Sequence, residues 1–66
     1  MAKQLDLKGR RFWIVSEPHG GMWKATVMEE ISSGRAHEAV GIDATADTRT
    51  AADDAAERKL RRMLQA

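Results

Sequence analysis

An α+β fold is predicted for this chain: a three-stranded antiparallel sheet followed by a single C-terminal helix packed on one face, in the order β-β-β-α. Three observations carry that expectation. Residues Thr48 to Ala66 repeat apolar positions at spacings of three and four, the segments before them alternate apolar and polar residues, and glycine-rich breaks separate those segments. At 66 residues the chain makes one domain, 1–66, with no repeat and no low-complexity tract.

The sequence leaves the order of residues 1–8 open, and disorder there is one expectation. The first strand is read from Arg10 to Glu17 (RRFWIVSE), rich in aromatic and β-branched residues and closed by Pro18-His19-Gly20-Gly21. The second runs from Met22 to Ile31 (MWKATVMEEI), where Trp23, Ala25 and Val27 alternate with Lys24, Thr26 and Glu30, and it ends at Ser32-Ser33-Gly34-Arg35. The third, Ala36 to Ala44, sets Val40 and Ile42 on one side and Ala39, Gly41 and Asp43 on the other.

In a hairpin, facing residues share one side of the sheet, so an even loop fixes which face each residue joins. A two- or four-residue loop at His19-Gly20 pairs Ile14 with Ala25 and Phe12 with Val27; the next hairpin pairs Val27 with Val40 and Ala25 with Ile42. One face then collects Phe12, Ile14, Trp23, Ala25, Val27, Val40, Ile42 and Ala44. The same register brings Glu29 opposite Glu38, an unfavourable like-charge pair. The helix offers the matching stripe of Ala52, Ala55, Ala56, Leu60, Met63 and Leu64. Asp47, Thr48 and Thr50 compete as its N-cap. Its acid-first, base-last charge order suits the macrodipole, with Asp54 and Arg58, and Glu57 and Arg61, spaced for i,i+4 pairing.

One helix leaves the other face of the sheet open. On that face the reading places Trp13 beside Thr26, with Val15 and Lys24 in one flanking row and Arg11 and Met28 in the other. An apolar patch rimmed by charge marks an interface, expected here at Arg11, Trp13, Val15, Lys24, Thr26 and Met28. A chain this short buries only about 60% of its unfolded surface, and without cysteine it has no disulfide to compensate. A symmetric homodimer supplies the missing core, so a second copy is the expected partner, with a further protein partner also open. Nucleic acid is the second choice. Eleven basic and ten acidic residues leave a formal charge of +1, so only a local patch would serve, and Arg58, Lys59, Arg61 and Arg62 at the helix end are the candidate contacts.

Catalysis finds no constellation: no nucleophile is spaced to meet a base, and no catalytic residue is assigned. His19 lies in a turn and His37 near a strand start, without the short spacing of zinc ligands, so no metal and no cofactor is expected. Gly20-Gly21 and Gly34 belong to turns between strands, not to a phosphate loop at a helix N-terminus. With no apolar run long enough to span a bilayer and no secretory leader at MAKQLDLKGRR, a soluble cytoplasmic protein is expected.

Three family resemblances follow from quoted segments. FWIVSEPHGGMWKATV resembles the opening hairpin of HicB-type antitoxins, and ADTRTAADDAAERKLRRML is similar to that family's Gly-Asp-Thr opening and alanine-rich helix. EEISSGRAHEAVGIDATA replaces the family's proline-glycine-cysteine segment, and no DNA-binding segment follows, so the resemblance implies a dimerising scaffold that holds a partner, not an operator binder. GRAHEAVGIDATADTRTAADDAAERKLRRML resembles the final strand and helix of ribosome hibernation-promoting factors. The three strands and closing helix resemble double-stranded-RNA-binding domains, although Asp53 and Asp54 stand where that family carries phosphate-binding lysines.

Overall fold

The computed structural model describes residues 2–31 and 36–65, with side chains from 3 and 37 onward in the two stretches. It contains β1 (Ala2–Leu7), β2 (Arg10–His19), β3 (Met22–Ile31), β4 (Ala36–Ala46) and α1 (Arg49–Gln65). The strands form one antiparallel four-stranded meander in the order β1-β2-β3-β4. The α+β class and the single helix on an antiparallel sheet match the reading of the sequence; the strand count does not.

The additional strand is β1, drawn from the residues whose order the sequence left open. Its pattern is short but regular, with Leu5 and Leu7 packed against the core and Gln4 and Asp6 exposed. Its turn hides the signal. Lys8 and Gly9 connect the Leu7–Arg10 pair with φ of 52° and 75°, the signs of a two-residue type I′ turn. A lysine is an uncommon occupant of that left-handed region, where Asn, Asp or Gly is the usual mark.

The same geometry at Gly20-Gly21 lets β2 run on to His19, two residues beyond the expected end at Glu17. Pro18 is therefore a strand residue and not part of the turn. It lies past the Ala2–Val15 pair, the last described between β1 and β2, so its missing N–H interrupts no ladder bond among the described residues. The tighter turn slides the hairpin by two residues from the expected register: Ile14 faces Val27, Trp13 faces Met28 and Val15 faces Thr26. Because the slip is even, every residue keeps its face. The turn expected at Ser32-Ser33-Gly34-Arg35 lies outside the described residues.

The β3–β4 pairing starts as expected, with Met28 opposite Ala39 and Glu29 opposite Glu38. It then shifts at a bulge, since Thr26 faces Asp43, leaving Val40, Gly41 and Ile42 opposite Val27. Gly41 adopts a φ of 78°, which a glycine takes without strain. The two added residues again preserve the faces, and Val40 and Ile42 both pack on the core. Arg10 answers the like-charge pair by donating two hydrogen bonds to Glu29, at 2.8 and 2.7 Å.

The core lies between α1 and one face of the sheet. Phe12, Ile14, Ala25, Val27 and Ala44 from the strands meet Ala52, Ala56 and Leu60 from the helix, with Trp23, Ala55 and Leu64 at its margin. Burying each large side chain contributes about 1.5–3 kcal/mol, and the alanines on both surfaces permit the close approach that seals them. Met63, expected on the stripe, is 39% exposed and lies outside the core cluster. Thr48 wins among the competing caps: its Oγ1 accepts from the Ala51 N–H at 3.1 Å. Three lysines then hold the helix across both edges of the sheet. Lys3 pairs with Glu57 at 2.9 Å, Lys8 donates to the Leu64 carbonyl, and Lys59 donates to the Asp43 carbonyl at 2.8 Å.

The helix orientation predicts an asymmetric mutational cost. Leu60→Ala should destabilise the fold by about 2–5 kcal/mol, whereas Met63→Ala should stay within about 0.5 kcal/mol, as read from urea unfolding midpoints. Equal costs would mean that a different helix face is buried.

Candidate interaction surface

The face of the sheet opposite α1 is organised in rows by the register. The first row carries Asp6, Arg11, Glu30 and His37, the second Gln4, Trp13, Met28 and Ala39, the third Val15, Thr26 and Asp43, and the fourth Glu17, Lys24 and Thr45. Its middle is apolar and its two ends are charged. Val15 is 43% exposed, while Trp13, Thr26 and Met28 are half-buried, with no second layer above them among the described residues. Trp13, Val15, Glu17, Thr26, Met28 and His37 line a shallow concavity of about 610 Å³.

All six residues expected at the interface, Arg11, Trp13, Val15, Lys24, Thr26 and Met28, lie on this face. The neighbours differ from those expected, since Trp13 stands beside Met28 and not beside Thr26. The first row fixes the tryptophan. Its Nε1–H donates to Glu30 Oε1 at 3.0 Å, and Arg11 donates to the other carboxylate oxygen at 3.2 Å while also reaching Asp6 at 3.1 Å. His37 stands edge-on to the indole, with ring centres 6.2 Å apart, and its Nε2 is 3.9 Å from Glu30 Oε1. Glu30, His37 and Glu17 were not singled out for this surface from the sequence. The alternation that places Thr26 and Met28 outward places Glu30 outward too, and that signal sufficed to find it.

At the other end of the face the charges are unspent. Glu17 and Lys24 oppose each other across β2 and β3, and neither makes a hydrogen bond or ion pair among the described residues.

The basic helix end lies elsewhere. Lys59 is engaged with the Asp43 carbonyl and Arg61 with Glu57, at 2.9 Å, while Arg58 and Arg62 are exposed. Asp54 and Arg58, despite their spacing, form no ion pair among the described residues. Since α1 covers the Phe12 face, the sheet itself separates these cations from Trp13. His19 ends β2, exposed beside the turn and remote in the strand ladder from His37. Among the described residues no three His, Cys, Asp or Glu side chains converge to hold a metal ion. No helix among the described residues is long and apolar enough to cross a membrane.

No family model, no curated protein and no solved structure matches this chain. What it does is read from its own surfaces.

Two carboxylates tie the charge network to pH. Hydrogen bonds from Arg10 hold Glu29 below its ordinary 4.5, and hydrogen bonds from Lys3 and then Arg61 do the same for Glu57. A carboxylate depressed in the folded state stabilises the fold above the unfolded value and ceases to as the pH falls through the folded one. Stability should therefore decline as the pH falls below about 5, with Glu57→Gln making that decline shallower in urea titrations from pH 7 to 2. An unchanged acid limb in the variant would remove Glu57 from this role.

Proposed function

We propose that the protein is a small non-enzymatic interaction module that works as a homodimer through its outer sheet face and binds or regulates another macromolecule. One observation carries the reading. A four-stranded sheet has one face covered by α1, and the other presents Trp13, Val15 and Met28 with none of the described residues packed above them. Strands of 6, 10, 10 and 11 residues, about 4.8 Å apart, give a face of roughly 600 Å², so two copies would bury roughly 1,200 Å² between them. That reaches the lower end of standard specific interfaces. The resemblance to HicB-type scaffolds points the same way.

A nucleic-acid or ribosome-associated role is the second reading, favoured by Arg58 and Arg62, exposed one helical turn apart. It is the weaker one, because the cations and the aromatic platform face opposite sides of the molecule and a single strand would have to wrap the sheet edge to use both. The acidic residues Glu17 and Glu30 also flank Trp13, where a phosphate backbone would lie.

Light scattering at high micromolar concentration tests the first reading. The wild type should give twice the monomer mass, and Trp13→Glu should give the monomer mass while keeping its helical circular dichroism. A monomeric wild type, or a Trp13→Glu variant of unchanged size, refutes it. Co-purifying nucleic acid released steeply by salt would favour the second reading.

A further inference from the structure

We propose that the second copy sits on the outer face with its two-fold axis running across the strands, between the Trp13/Met28 row and the Val15/Thr26 row. This rests on the homodimer reading and adds the geometry and the selectivity of the contact.

The charges at the ends of β2 and β3 carry it. At one end β2 offers Arg11 and β3 offers Glu30; at the other β2 offers Glu17 and β3 offers Lys24. The signs form a checkerboard around an apolar centre. A two-fold axis across the strands keeps each strand over its own counterpart and exchanges the ends. Arg11 then meets the partner's Glu17, and Glu30 meets the partner's Lys24, each contact being made twice by symmetry. The face is complementary to itself. A ligand of uniform sign meets repulsion at two of the four corners.

Side-chain size chooses between the symmetric arrangements. With the axis across the strands, Trp13 lies over the partner's Val15 and Met28 over the partner's Thr26, so large residues fill the space above small ones. The concavity bounded by Trp13, Val15, Glu17, Thr26 and Met28 is where the partner's indole enters. An axis along the strands also opposes unlike charges, but it sets Trp13 on Met28 and Val15 on Thr26. Large on large holds the sheets apart and leaves a gap over the small pair, which close packing disfavours.

The two arrangements separate under a charge exchange that leaves the monomer's own neighbours intact. Glu17 and Lys24 are cross-strand partners, so the double variant E17K/K24E keeps one acid beside one base. Sedimentation equilibrium at low salt would compare the wild type, E17K, K24E and E17K/K24E, with thermal unfolding of each as the folding control. Each single variant should raise the dimer Kd roughly tenfold or more, because like charges then face each other twice, and the double variant should raise it further. Recovery of the wild-type Kd in the double variant would place the axis along the strands and overturn the proposal, with the homodimer reading intact. Unchanged Kd in all three variants would overturn it by removing the four charges from the interface. A wild type that stays monomeric would instead refute the homodimer reading itself.

Discussion

The structure depends on one helix being laid against one face of a sheet that has two. All of the fully buried side chains, Phe12, Ile14, Ala25, Val27, Ala52, Ala56 and Leu60 among them, lie in that single layer. The layer is thin because the chain is short, and it closes because alanines on both surfaces bring helix and strands together. Lys3 from β1 to Glu57, Lys8 from the first turn to the Leu64 carbonyl, and Lys59 from the helix to the Asp43 carbonyl then set where the helix lies across the strands. Everything else follows from this economy. With α1 committed to one side, the described residues leave the other side uncovered.

The two faces are protected from register error by parity. The β2–β3 hairpin is two residues out of the register expected from the sequence, and a bulge at Gly41 shifts β4 by two more, yet no side chain changes face. An odd slip would have placed Trp13 in the core and Phe12 in water. Core membership is therefore more robust than neighbour identity. Which residues line the open face was readable; which of them touch was not.

The legible and illegible parts divide along physical lines. The helix announced itself through seventeen residues of periodic alanine and leucine, and Thr48 caps it as one of the candidate residues. β2 and β3 were legible from alternation and from Gly20-Gly21. β1 was not, because two leucines are a faint alternation and Lys8 stands where a hairpin turn is normally marked by Asn, Asp or Gly. Pro18 read as a turn residue because a proline just before two glycines is an ordinary mark of a turn. At the open face, Trp13, Val15 and Met28 were legible as leftovers of the alternation. That Glu30 faces outward was legible from the same alternation; that its carboxylate meets the indole depended on the register.

The account comes down to the environment of one indole. Trp23 belongs to the helix side and Trp13 to the open side, so a Trp23→Phe chain reports on the open face alone. Acrylamide quenching of that chain should weaken as protein concentration rises, over the same range in which the mass doubles, because the second copy covers Trp13. Quenching that stays constant while the mass doubles would place the dimer contact elsewhere and contradict the account.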